Sequence, residues 1–260
     1  MSATAGRSCS GAGGPTHAGV ADAFAGDLGA ATSRAVPVAP TLLVPLGSVE
    51  QHGPHLPLAT DSVVAQAVAE RVATRFGAPM VVAPVVAFGS SGEHAGFPGT
   101  ISIGRDALAL LLVELVRSAA DWAARIVLVN GHGGNVPTLV DVVARLRSER
   151  HAVAWAPCAV RGGDAHAGRA ETSLMMCLRP QEVQAALAEP GETTPLAELM
   201  PALLQRGVRG VSPNGVLGDP RGASAAEGAR LLADVVADVA ARISAADVDE
   251  RGCLRPPVRS

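Results

Sequence analysis

The chain has 260 residues, 48% of them apolar, and a formal net charge of −3. That is long and apolar enough for a large α/β domain, and it offers no basic face for nucleic acid. All 21 residues counted as Lys or Arg are Arg, which excludes a phosphate-loop or Schiff-base lysine, and 2% aromatic content without Tyr argues against base-stacking platforms.

Cys9, Cys158, Cys177 and Cys253 show no CxxC spacing and read as reduced thiols of a cytoplasmic protein. No apolar run reaches the roughly 20 residues of a membrane span. The N-terminus lacks the apolar core of a secretory signal. Residues 1–37, rich in Gly, Ala, Ser and Thr, read as a flexible leader with a short helix around 20–28. His17 and Cys9 fall there and receive no role.

A domain is expected over 38–246. Thr41–Leu46 reads as a buried strand. It runs into Gly47-Ser48-Val49-Glu50-Gln51-His52-Gly53-Pro54-His55-Leu56-Pro57, followed by Thr60-Asp61. Carboxylates and imidazoles gathered so tightly suggest a divalent metal site. Apolar spacing predicts a helix over 62–76, for which Thr60 or Asp61 is also a plausible N-cap.

Residues 80–88 read as a second strand. They lead into the loop Gly89-Ser90-Ser91-Gly92-Glu93-His94-Ala95-Gly96-Phe97-Pro98-Gly99-Thr100, in which His94 and Phe97 are candidate substrate contacts. Residues 101–103 read as a short edge strand and 105–122 as an amphipathic helix. Residues 125–129 are the clearest buried strand, entering Asn130-Gly131-His132-Gly133-Gly134-Asn135. Neither GxGxxG nor GxxxxGK is present there, so a phosphate loop is disfavoured. A His at the carboxyl end of a central strand stands where open α/β sheets place their sites.

A helix follows over 136–150 and a fourth strand over 152–157. The third polar cluster is Asp164, His166 and Glu171, leading into an apolar helix over 174–178. Helices are expected within 180–191 and 195–207, then a Gly/Pro-rich excursion over 208–224 and a terminal helix over 225–243. Residues 247–260 read as a disordered tail. Alternating strands and helices imply a mostly parallel sheet covered on both faces. The three clusters follow strand ends, so Glu50, His52, Asp61, His132 and Glu171 can converge, a donor set large enough for two ions of Zn²⁺, Mn²⁺ or Fe²⁺.

These motifs, together with His166-Ala167-Gly168 and Glu171-Thr172-Ser173, resemble the creatininase family over roughly 40–243. The resemblance implies one three-layer α/β/α domain, a dinuclear metal site, amide hydrolysis and homo-oligomers, often hexamers. By carry-over, Glu50 and His132 hold one ion, His52 the other, and Asp61 bridges them. Glu171 is the candidate fifth ligand and a catalytic residue, and His166 the proton donor or acceptor.

One position departs from the family pattern. Creatininase carries an acidic ligand two residues after the histidine of the Asn-Gly-His loop, where this chain has Gly134. That weakens creatinine as substrate and shifts weight to Glu171. Gly163–Gly168, Gly215–Pro220 and Ala223–Gly228 resemble the mycofactocin-system branch, whose members are expected to remove a C-terminal Val-Tyr dipeptide from a modified, ribosomally made precursor peptide.

Backbone N–H groups of Gly133 and Gly134 are candidates for oxyanion contacts. Asp164 is a candidate substrate contact or orienter of His166. Rival readings are a creatinine or formamide hydrolase of the same family and, remotely, a non-catalytic protein binding a phosphorylated ligand.

Overall fold

The structure, a computed structural model, describes residues 26–76 and 79–257. Four parallel strands, β1 (Thr41–Leu46), β2 (Met80–Val82), β3 (Arg125–Asn130) and β4 (Val153–Pro157), lie in the order β2-β1-β3-β4. Leu46 pairs with Asn130 and Asn130 with Pro157, so three strands end level.

The strands read as continuous apolar runs because both faces are buried. Leu42, Val44, Leu46, Ile126 and Leu128 pack against α2 (Gly104–Ala119) and α3 (Val136–Ser148). Leu43, Val127 and Val129 pack on the other side against α1 (Thr60–Arg75), α4 (Arg169–Leu178) and α6 (Ala225–Ala245). The result is the three-layer α/β/α arrangement. β1 leads through α1 to β2 on one side, and β2 leads through α2, on the opposite face, to β3 on the other side of β1. The winding therefore reverses between β1 and β3, and their carboxyl ends flank the crevice where such sheets bind ligands.

Several elements differ from expectation. β2 stops at Val82 because Pro84 has no N–H for the ladder; pairing resumes only as a bridge between Val86 and Leu46. Ile101 makes one bridge to Val49 and no strand. α4 begins at Arg169, five residues earlier than the apolar pattern suggests, which brings Glu171 into its first turn. Residues 180–191 form only two 3₁₀ turns, at Pro180–Glu182 and Ala185–Leu187. α5 (Leu196–Val211) continues past the expected end through a kink at Gly207.

The expected tail is a correction: Leu254 is fully buried, its N–H donates to Trp155 O at 2.8 Å, and Cys253 bridges to Trp155 beside β4. Burying Leu254 against the core accounts for this order. At the other end, Leu28 N–H donates to Val82 O at 2.9 Å, so part of the expected leader lies along β2. Residues 1–25 of that leader, including most of the helix expected around 20–28, lie outside the described residues. No helix among the described residues is long and apolar enough to cross a membrane.

Candidate metal centre

The centre forms where β1, β3 and the start of α1 meet. A Cβ at Gly131 would stand 2.6 Å from Asp61 O, so only glycine lets the first turn of α1 approach the end of β3. That approach delivers Asp61 between two imidazoles. Its Oδ1 lies 3.0 Å from His52 Nε2 and its Oδ2 3.1 Å from His132 Nδ1, while Ser48 Oγ donates to Oδ2 at 2.6 Å. Asp61 bonds neither as an N-cap nor to solvent; its carboxylate is held inside the cluster.

Glu50 is fully buried. Its Oε2 lies 3.3 Å from His132 Nδ1; its Oε1 lies 3.2 Å from His94 Nε2 and 3.8 Å from His166 Nδ1. Glu171 Oε2 stands 3.9 Å from His52 Nε2 and accepts from Ala167 N–H at 2.6 Å.

Main-chain carbonyls set two of the rings. His52 Nδ1–H donates to Glu50 O at 3.1 Å and His132 Nε2–H to Ser90 O at 3.2 Å. A carbonyl only accepts, so each ring turns its other nitrogen toward the carboxylates. There it is a lone pair once the ring is neutral, as a metal ligand requires.

The electrostatics follow from crowded carboxylates. Burial disfavours charge on His52, yet Asp61, with Glu171 and Glu50, raises its pKa to about 10. Burial likewise opposes charge on His132, but the neighbouring carboxylates of Asp61, Glu50 and Glu93 raise its pKa well above the usual value. Burial pushes Asp61 up, but His52 and His132 hold it well below the usual carboxylate range. Glu171 is pushed up to about 7 by burial, reinforced by Asp61 and opposed by His52. Burial lowers His94 and, more strongly, His166. The metal-free cluster thus draws protons onto His52 and His132, where bound cations would otherwise balance the carboxylates.

The donor set fits divalent metal. Neither buried oxygen of Glu50 has a hydrogen-bond partner. A buried carboxylate in that state is costly unless a cation satisfies it. Three groups have ligand atoms within 4.8 Å of one another: Glu50, Asp61 and His132; His52, His166 and Glu171; Glu50, His94 and His166. Hard oxygens with imidazole nitrogens suit Zn²⁺, Mn²⁺ or Fe²⁺.

The structure thus brings Glu50, His52, Asp61, His132, His166 and Glu171 together. His94, read from the sequence as a substrate contact, stands within the cluster. Phe97 lies outside it, with Arg209 Cζ 5.9 Å over its ring. Gly133 and Gly134 begin a 3₁₀ turn after His132. Asp164 makes no hydrogen bond to His166. Its oxygens accept from Arg169 N–H at 2.6 Å and Ala170 N–H at 3.0 Å, closing the amino end of α4. A short acidic side chain at a helix start is the signal that could have suggested this role.

Three contributors escaped the sequence reading. Glu93 Oε1 faces His132 Nε2 at 3.4 Å. Gln51 touches both His94 and His166. His55 bonds Thr172 Oγ1 through Nε2 at 2.8 Å and ties the first motif to the helix that carries Glu171.

A cleft of about 1060 Å³ opens over Asp61, His132 and Glu171, walled by Arg161, Asp164 and residues 192–196 and 217–219.

The family model for creatininase, described as creatinine amidohydrolase, matches residues 29–243. The "Mycofactocin precursor peptide peptidase" of Mycolicibacterium smegmatis is 53% identical over 237 residues, covering 89% of this chain and 96% of that protein. Among solved structures, a creatininase point mutant of "Zn-Zn type" superposes with a TM-score of 0.68 at 26% identity, and "Creatininase Mn" with 0.68 at 27%. Each covers 84% of this chain and 97% of its own.

Proposed function

This chain belongs to the creatininase family, and we propose that it is the mycofactocin-system peptidase of its organism, a metal-dependent hydrolase of a peptide C–N bond. Its substrate is the modified precursor peptide, from which it removes the C-terminal Val-Tyr dipeptide. The observation that carries the metal chemistry is the Glu50 carboxylate, buried with both oxygens free of hydrogen bonds amid imidazoles. The cleft of about 1060 Å³ supports a peptide over a small cyclic amide.

Glu50, Asp61 and His132 would hold one ion and His52, Asp61 and Glu171 a second, with Asp61 shared. The Zn and Mn forms of the creatininase neighbours support divalent ions, with Zn²⁺, Fe²⁺ or Mn²⁺ all compatible with these donors. When bound, such ions supply Lewis acidity and a nucleophile at neutral pH.

The chain's own groups handle the proton. Water adds its hydroxyl to the scissile carbonyl carbon and gives a proton to His166 Nδ1. As the C–N bond breaks, His166 returns that proton to the leaving nitrogen, which departs as the dipeptide's amine. The Gly133 and Gly134 N–H groups are assigned to the developing oxyanion. The loop over 89–100, which carries His94 and Phe97, is assigned to substrate contact. We assign the protein to the cytoplasm as a homo-oligomer, a hexamer by family resemblance.

Mass spectrometry of the precursor peptide incubated with the metal-loaded protein tests this reading. Release of Val-Tyr is expected; an unchanged peptide would overturn it. Creatinine turnover in its place would favour the rival family activity, against which Gly134 speaks.

A further inference from the structure

Gln51 lies beneath the metal-ligand cluster and is buried. Two backbone groups orient its amide without ambiguity. Gly53 N–H can only donate, and it meets Oε1 at 2.9 Å; Gly215 O can only accept, and it meets Nε2 at 3.0 Å. Gly215 has φ +81, and a Cβ there would run into Oε1, so the clamp needs glycine.

With the amide fixed, Nε2 has one N–H left and two imidazoles in reach. His166 Nε2 lies 3.1 Å away, but it also lies 2.8 Å from the Gln51 main-chain O. A carbonyl accepts only, so His166 Nε2 carries a proton and cannot also accept from Gln51. The free N–H therefore goes to His94 Nδ1 at 2.9 Å. His94 Nδ1 is then a lone pair and its proton sits on Nε2, the nitrogen 3.2 Å from Glu50 Oε1.

We propose that Gln51 is a positioning residue that gives these two adjacent imidazoles opposite polarity, a proton toward Glu50 on His94 and a lone pair toward it on His166. The ring centroids are 4.5 Å apart, so the sorting acts within one small volume. His94 is thereby excluded as a metal ligand through Nε2, although its position allows one, and His166 is left as the base. The consequence for catalysis rests on the hydrolase reading above; the tautomers themselves do not.

Long-range ¹H–¹⁵N spectra of the ¹⁵N-histidine-labelled, zinc-loaded full chain read the tautomers, with signals assigned from His94→Asn and His166→Asn. Both residues are expected as the Nε2–H form. A proton on His94 Nδ1, or a zinc-shifted His94 Nε2, would overturn the proposal. Gln51→Met removes the side-chain donor and leaves the main-chain carbonyl. It should turn His94 into a tautomer mixture, keep His166 as Nε2–H, and lower kcat about 100-fold with KM and zinc content unchanged. An unaltered His94 signal in that variant would also overturn the proposal, and if the variant does not fold the wild-type spectrum decides alone. The predicted tautomers together with an uncleaved peptide would sink the peptidase reading and leave this one standing.

Discussion

Glu93 Oε1 faces His132 Nε2 at 3.4 Å, in space that a side chain at position 134 would have to occupy. A Cβ on Gly134 would collide with Glu93 Oε1, with the His132 ring and with the main-chain oxygen of Ser90. The last of these cannot rotate away. Gly134 is therefore more than a missing acidic ligand: the loop has closed into its place, and a different carboxylate stands behind His132.

Gly134→Glu is accordingly expected to fail as a conversion toward creatinine hydrolysis. Overpacking of this kind costs about 1–3 kcal/mol. At this chain length that is a fall in Tm of about 2–4 °C for each kcal/mol. Thermal unfolding with a creatinine assay checks it; gained creatinine turnover at unchanged Tm would refute the account.

Asp61 offers one oxygen to His52 and the other to His132, so its replacement should act on both metal positions. Asp61→Asn is expected to lose both ions, and His132→Ala chiefly one, with hydrolysis abolished in each and the fold retained. Elemental analysis beside circular dichroism separates the cases. Equal metal loss in the two variants would argue against a shared Asp61.

How far the sequence foretold this site depends on the kind of contact. Strand ends and dense ligand-type residues marked Glu50, His52, Asp61 and His132, because short motifs after buried strands carry a position with them. Glu171 was marked by its polar cluster after the fourth strand, although α4 starts before its apolar pattern does and so places Glu171 in a first turn the pattern did not show. Gln51, Glu93 and Thr172 left no local sign. Their partners are 39 to 164 residues away, Gly215 and His166 for Gln51 among them, and no spacing rule encodes such pairs. The tail was misread for a related reason: a single buried Leu254 decides its order, and one leucine makes no pattern.

The His55–Thr172 bond is buried at both ends, so removing the hydroxyl leaves the imidazole nitrogen without its partner. Thr172→Val keeps the shape of the side chain and should destabilise by about 1–3 kcal/mol. Because the bond ties the Glu50 loop to the helix bearing Glu171, weaker metal binding should accompany the loss. Denaturant unfolding and a zinc titration measure the two effects; a variant as stable as wild type would show the tie to be dispensable.

Metal removal should reverse the pH response of stability. In the metal-free chain His52 is raised from 6.5 to about 10. Its contribution is fully present below pH 6.5 and is lost as pH rises through about 10. Glu171, raised from 4.5 to about 7, adds a decline between those values, because the folded chain holds a proton that the unfolded chain releases. Asp61 acts on the other limb: its pKa is depressed, so its contribution is present above 3.8 and lost in stronger acid. The stripped protein should therefore be most stable on the acid side of neutrality and lose several degrees of Tm between pH 6.5 and 10. Zinc binding requires neutral His52 and His132, so the loaded protein should gain in relative stability over the same range as protons cease to compete. Melting curves of stripped and loaded protein, with His52→Gln as the control that flattens the stripped curve, measure this. Parallel curves for the two forms would mean that ion and proton do not compete for His52.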